Sequence, residues 1–202
     1  TEELERVVPA IEAIQKHFPE SLISIDSFRS KVAEAGIKAG AAIINDISAG
    51  ELDPEIMKTV ARLQVPYIMM HMRGNPKTMK DLNQYENLTR EVLEYFSEKI
   101  QQARTLGIND LILDPGFGFA KNIEQNFELF SKMELLQNTG LPFLVGISRK
   151  SMIYKSLKIK PEEALPGTTF LNSIALTKGA NILRVHDVKE AVHCLKLYRL
   201  IS

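Results

Sequence analysis

The feature that most limits what this chain can fold into is a repeated alternation. Six short apolar runs, at 22–25, 41–44, 66–70, 110–113, 142–145 and 180–183, are separated by stretches of helical periodicity, with no hairpin signal such as Asn-Gly between neighbours. Short, mainly apolar runs of this length read as strands buried on both faces, and strands joined through helices run parallel. The pattern therefore predicts a parallel α/β protein, organised as one domain over 1–202.

Two architectures satisfy it: an open doubly wound sheet, or a TIM (β/α)8 barrel of which about six of the eight parallel βα units are present. A polar residue stands at the C-terminal tip of every strand: Asp26, Asn45, His71 with Arg73, Asp114, Lys150 with Ser151, and Arg184 with His186. Barrel active sites draw on many strand tips, whereas an open sheet concentrates its site at one crevice, so the barrel is preferred. Neither G-x-G-x-x-G nor a phosphate loop is present, which weakens the nucleotide-binding form of the open sheet. A complete barrel takes about 250 residues. This chain has 202, begins with Thr1 and enters a helical pattern with no strand before it, so the expectation is an incomplete barrel lacking its first two strands.

Local signals refine the picture. Thr1 is a candidate N-cap, Pro9 a candidate kink, Ser27 a candidate cap for the helix through Val32 and Ala35, and Asp53-Pro54-Glu55 a helix start with Pro at its first position. Asn122 with Gln125 resembles a capping box.

Composition excludes several partners. Lys+Arg 25 balance Asp+Glu 25, with no like-charge run suited to nucleic acid. No apolar run approaches about 18 residues and no signal-peptide pattern opens the chain, so neither membrane insertion nor secretion is expected. The one cysteine, Cys194, cannot form an internal disulfide and reads as a small buried hydrophobe in a reducing, cytoplasmic setting.

The chemistry centres on 112–121, Ile-Leu-Asp-Pro-Gly-Phe-Gly-Phe-Ala-Lys. Asp114 ends an apolar strand, and the glycine-rich turn after it lets a ligand lie close above the backbone. Each tip residue alone has a plain structural explanation: Asp26 or Asn45 as turn or cap residues, His71 as a satisfied histidine, Lys150 and Arg184 as rim charges. Parallel topology, however, sends all six tips to one face. That face would divide into acceptors and an amide (Asp26, Asn45, Asp114) suited to the N–H edge of a planar heterocycle, a donor in Lys150, and a cationic pair, Arg184 and His186, suited to phosphate. Phe119, Met70 and Met72 offer an apolar wall. The histidines are scattered, and no cluster has metal-ligand spacing.

Six blocks in order, Ile25-Asp26-Ser27, Ile44 to Ile47, Met70 to Pro76, Asp114 to Phe119, Gly146 to Ser151 and Arg184 to Asp187, resemble the dihydropteroate synthase family over nearly all of the chain. The resemblance implies a TIM-barrel transferase of folate biosynthesis, a sulfonamide target. It condenses 6-hydroxymethyl-7,8-dihydropterin diphosphate with 4-aminobenzoate, releasing pyrophosphate, and uses Mg2+. It implies pterin contacts from Asp26, Asn45, Ile47, Ile68, Met70, Asp114, Phe119 and Lys150. Diphosphate contacts fall to Arg184 and His186, and 4-aminobenzoate contacts to Phe119, Lys150 and Ser151. Asp26, Asp114, Lys150, Arg184 and His186 carry the chemistry. The family's Mg2+-contacting Asn belongs to the first two strands, so no metal ligand is assigned here, and low or no activity is expected of this chain alone. The resemblance also implies a homodimer. Two alternatives stay open: a pterin-binding methyltetrahydrofolate methyltransferase domain, which shares the Asp, Asn and Asp grip on the pterin, and an inactive pterin-binding module.

Overall fold

The computed structural model describes residues 2–75 and 82–201. In chain order its elements are α1 (Glu2–His17), β1 (Ser24–Asp26), α2 (Ser30–Lys38), β2 (Ile43–Asp46), α3 (Ile56–Leu63), β3 (Tyr67–Met70), α4 (Leu88–Thr105) and β4 (Leu111–Asp114). There follow α5 (Ile123–Ser131), a 3₁₀ segment (Met133–Thr139), β5 (Leu144–Val145), α6 (Ser151–Leu157), a second 3₁₀ turn (Pro161–Glu163), α7 (Leu165–Thr177), β6 (Ile182–Leu183) and α8 (Val188–Tyr198). All six apolar runs carry strands, and every pairing among them that the structure defines is parallel. The fold is the parallel α/β arrangement of the TIM-barrel family, with six βα units among the described residues. Its contacts gather into two compact units, Thr1–His71 with Phe96–Ile112, and Met72–Tyr95 with Leu113–Ser202.

In the first unit β1, β2 and β3 lie side by side, with Asp26 opposite Asn45 and Asn45 opposite Ile68. The Tyr67 amide donates to the Asp110 carbonyl at 2.8 Å, bringing in the start of β4. Ile44, Tyr67 and Met69 are fully buried, as strands covered on both faces require. Gly36 on α2 lies so close to β1 that a Cβ there would stand 2.3 Å from Ile25 Cδ1. The buried Asp46 carboxylate accepts from the Ser48 amide and hydroxyl at 2.8 Å each, the Gly50 amide at 2.7 Å and the Tyr67 hydroxyl at 2.6 Å. Its role is to fold the loop after β2.

Several local expectations change. The run at 22–25 is not a buried strand: Leu22 is 82% exposed and Ile25 is the buried residue of β1, because β1 lies at the end of the strand order. Ser27 does not cap α2; its hydroxyl accepts from the Arg29 amide and donates to Glu3, while the Ser30 amide is satisfied by Asp53 Oδ2 at 2.8 Å. The other oxygen of Asp53 accepts from the Glu55 amide, holding 53–55 as a turn, so α3 starts at Ile56 rather than at Pro54. Pro9, the expected kink, lies inside α1. The expected cap at Thr1 and the last residue of the 70–76 block, Pro76, lie outside the described residues.

In the second unit Leu113 bridges to Phe143, and β5 pairs with β6 through Leu144 opposite Ile182 and Val145 opposite Leu183. The C-terminal ends of β4, β5 and β6 are therefore neighbours. The capping box at Asn122 and Gln125 forms as the sequence suggests: Asn122 Oδ1 accepts from the Gln125 amide at 2.8 Å, and Gln125 Oε1 from the Asn122 amide at 2.9 Å. Cys194 is buried with a free thiol. Among the described residues no helix is long and apolar enough to cross a membrane.

Candidate active site

The tips of β4, β5 and β6 open onto a cavity of about 310 Å3 lined by Asp114, Phe119, Gly146, Ser148, Lys150, Arg184, Val185 and His186. Five residues assigned from sequence thus come together: Asp114, Phe119, Lys150, Arg184 and His186. A larger hollow of about 500 Å3 in the first unit, lined by residues such as Met57, Gln101 and Leu106, holds none of the strand-tip residues.

The turn after β4 explains how Asp114 is held. Its Oδ1 accepts the Gly116 amide at 2.8 Å, and Gly116 and Gly118 adopt φ of 67° and 81°, which β-carbon-bearing residues rarely do. Asp114 is 4% exposed, and burial pushes its carboxyl above the usual carboxylate range. The charges of Lys150, Arg184 and Lys121 and the Gly116 N–H oppose that rise. Lys150 sits at the N-cap of α6, donates to the Phe117 carbonyl and stands 5.0 Å from the centre of the Phe119 ring. Burial lowers its pKa, with Asp114 resisting and Arg184 reinforcing the fall. The cavity therefore sets the buried Asp114 carboxyl beside Lys150 and the exposed Arg184 and His186, an arrangement that runs from an enclosed floor to a solvent-facing rim.

Ser148 is the functional neighbour that the sequence reading left without a role. Its hydroxyl accepts the His186 amide at 3.2 Å and lies 3.0 Å from His186 Nδ1. A signal for it was present: Gly146, Ser148 and Lys150 fall at every second residue from the end of β5 and all three line the cavity. Ser151 opens α6 and is absent from the cavity lining. Arg149, between Ser148 and Lys150, turns elsewhere. In a left-handed conformation (φ 53°) it makes a two-pronged pair with Asp187 at 2.8 Å per contact, fastening the loop after β5 to the loop after β6.

The first unit holds the remaining assigned residues. Asp26 is exposed at the end of β1, while Asn45, Ile68 and Met70 are buried and Ile47 half-buried. Asp26, Asn45 and Ile68 form a registered row across three strands. Asn45 Oδ1 is buried without a hydrogen-bond partner among the described residues, an acceptor waiting for a donor. His71 is buried against Phe96, with ring centroids 6.4 Å apart. Arg73, in the second unit, is occupied structurally: it stacks over Tyr85 at 3.8 Å and bonds Glu91 and the Gln84 carbonyl.

A family model described as "Pterin binding enzyme" matches residues 1–186. The dihydropteroate synthase of Escherichia coli K12 is 43% identical over 198 residues, covering 97% of this chain and 70% of the relative. A Yersinia pestis dihydropteroate synthase structure in a sulfonamide drug complex superposes with a TM-score of 0.93 at 37% identity, covering 98% of this chain and 72% of that one. A Xanthomonas albilineans dihydropteroate synthase structure with 4-aminobenzoic acid gives a TM-score of 0.92 at 35% identity, covering 99% and 71%.

Proposed function

We propose, since this chain belongs to the pterin-binding enzyme family and to its dihydropteroate synthases, that it joins 6-hydroxymethyl-7,8-dihydropterin diphosphate to 4-aminobenzoate with the residues around Asp114. The observation that carries this reading is the convergence of a buried carboxylate, a lysine, an aromatic face and the Arg184–His186 pair on one cavity.

Asp114 accepts from the N–H edge of the pterin, and Lys150 donates to its carbonyl oxygen or ring nitrogen. The bond between the pterin methylene carbon and the diphosphate oxygen breaks with its electron pair on oxygen. The delocalised pterin cation is stabilised by the Asp114 carboxylate, and the departing dianionic end is held by Arg184 and His186. The neutral arylamine nitrogen then forms the new C–N bond and loses a proton, leaving dihydropteroate and pyrophosphate. Phe119, Lys150 and Ser151 are proposed to contact the aminobenzoate, where a sulfonamide would compete. On the same resemblance Asp26, Asn45, Ile47, Ile68 and Met70 are proposed pterin contacts, and Asn45 Oδ1 has the free acceptor capacity for that role.

Mg2+ is part of the proposal as a companion of the diphosphate, whose charge it would neutralise. Among the described residues no group of three or more His, Cys, Asp or Glu could cage an ion, so no step is routed through it. We further propose a cytoplasmic homodimer, the location resting on the unpaired Cys194 thiol and the assembly on the family resemblance, with exposed Phe170, Leu197 and Leu200 offering apolar surface. The test is turnover: dihydropteroate and pyrophosphate should appear in equal amounts, and only when both substrates are supplied. Methyl transfer from methyltetrahydrofolate to a corrinoid protein, without pyrophosphate release, would replace this reading with the methyltransferase one.

A further inference from the structure

Behind the turn that bears Asp114 and Phe119 lies a charge the mechanism has not used. Lys121 is 9% exposed, and its Nζ donates to the carbonyls of Gly116 and Phe119 at 3.1 Å each. Those carbonyls stand at the two ends of the turn, which is already closed by the Phe119 amide on the Gly116 carbonyl at 3.0 Å. The neighbouring backbone is held as thoroughly. Asn126, 2% exposed, accepts the Gly118 amide at 2.6 Å and donates to the Lys121 carbonyl at 3.2 Å, while Tyr85 donates its hydroxyl to the Ala120 carbonyl at 3.0 Å.

A buried ammonium is costly unless other groups compensate it, and a methionine in its place would fill similar volume without that cost. The turn nevertheless carries a lysine. We propose that Lys121 is a positioning residue of the pterin site, its ammonium binding the turn from beneath so that the Asp114 carboxylate and the Phe119 ring are held as one unit.

The charges around it act in both directions, and the geometry of the two carbonyl contacts carries the proposal. Lys121 interacts favourably with Asp114 and unfavourably with Lys150 and Arg73, and burial brings its pKa down to about 7. Asp114 in turn faces Lys150, Arg184 and Lys121, so removing Lys121 deletes one of the cations that favour the carboxylate form.

The inference rests on the synthase reading, and the experiment separates the two. A wild-type protein that binds no pterin defeats the synthase reading itself, and one that binds pterin with too little turnover to measure leaves the decision to the NMR measurement below. With wild type active, Lys121→Met should lower kcat/KM for the dihydropterin diphosphate at least tenfold, and the acidic limb of its pH profile should move upward because Asp114 protonates more readily. Lys121→Arg should return that limb toward its wild-type position. A Lys121→Met protein with lowered Tm but unchanged kcat/KM and acidic limb would reduce Lys121 to a packing residue and overturn the proposal. If Lys121→Met does not fold, 15N-lysine NMR of the wild-type protein decides, with Lys121→Arg assigning the signal: the Lys121 Nζ resonance should shift when a pterin without diphosphate is added. An unshifted resonance at saturation refutes the role.

Discussion

Asp114→Asn isolates the charge of one side chain in nearly constant volume. The amide oxygen can still accept the Gly116 N–H now taken at 2.8 Å, so the turn should keep its shape. What disappears is the carboxylate's charge-assisted bond to the pterin edge, in the range of about 1.5–3 kcal/mol for hydrogen bonds to charged groups. At about 1.4 kcal/mol per decade this weakens pterin binding roughly tenfold to a hundredfold. The cost of burying the carboxylate, which raises its pKa, is present in both the free and the bound protein, so relief of that cost appears in stability rather than in Kd. Calorimetric titration with a pterin lacking diphosphate measures the effect without interference from Arg184 and His186. A loss below about twofold, with Tm within a degree or so of wild type, would take Asp114 out of pterin recognition, since it falls well under the range for such a bond.

Arg184→Ala should slow the chemical step more than it weakens pterin binding, because the guanidinium matters most as charge develops on the departing diphosphate; single-turnover rates set beside pterin Kd values check this, and equal losses in both would contradict it. Gly118→Ala should destabilise the protein by about 1–2 kcal/mol through its left-handed backbone. The new Cβ would meet Lys150 Cδ at 3.4 Å, an ordinary contact, so the loss should come from the backbone and show in a urea melt. Far from the site, Glu34 is held down to about 2 from an ordinary 4.5, first by its hydrogen bonds to Arg62 and then by Lys38. Because the folded-state value is depressed, this contribution is full above about 4.5 and is lost as pH falls toward about 2. Glu34→Gln should flatten stability over that window in low salt, and less so in high salt, where exposed pairs are screened. Sedimentation should return twice the chain mass at micromolar concentration, and a monomer there would remove the proposed dimer.

The parts of this architecture legible in sequence are those set by periodicity and by local backbone chemistry. Runs such as 66–70 had to be buried strands, and the Asn122–Gln125 box fixes its own helix start within four residues. Asp114, Lys150, Arg184 and His186 were legible because parallel strands put successive tips at one end. What escaped depended on partners distant in sequence. Asp53 satisfies the amide of Ser30, 23 residues away, so Ser27 looked like the cap. The pair between Arg149 and Asp187, 38 residues apart, carries no signal in either local sequence. Lys121 reads as an ordinary charge at a helix entrance, and only the folded turn shows it enclosed.

The most direct test of the central claim is a crystal structure of the protein with a pterin and pyrophosphate bound together. The account predicts the pterin N–H edge within hydrogen-bond distance of the Asp114 carboxylate and a pyrophosphate oxygen within reach of Arg184 and His186. Pterin bound away from Asp114, or pyrophosphate held by residues other than that pair, would contradict it.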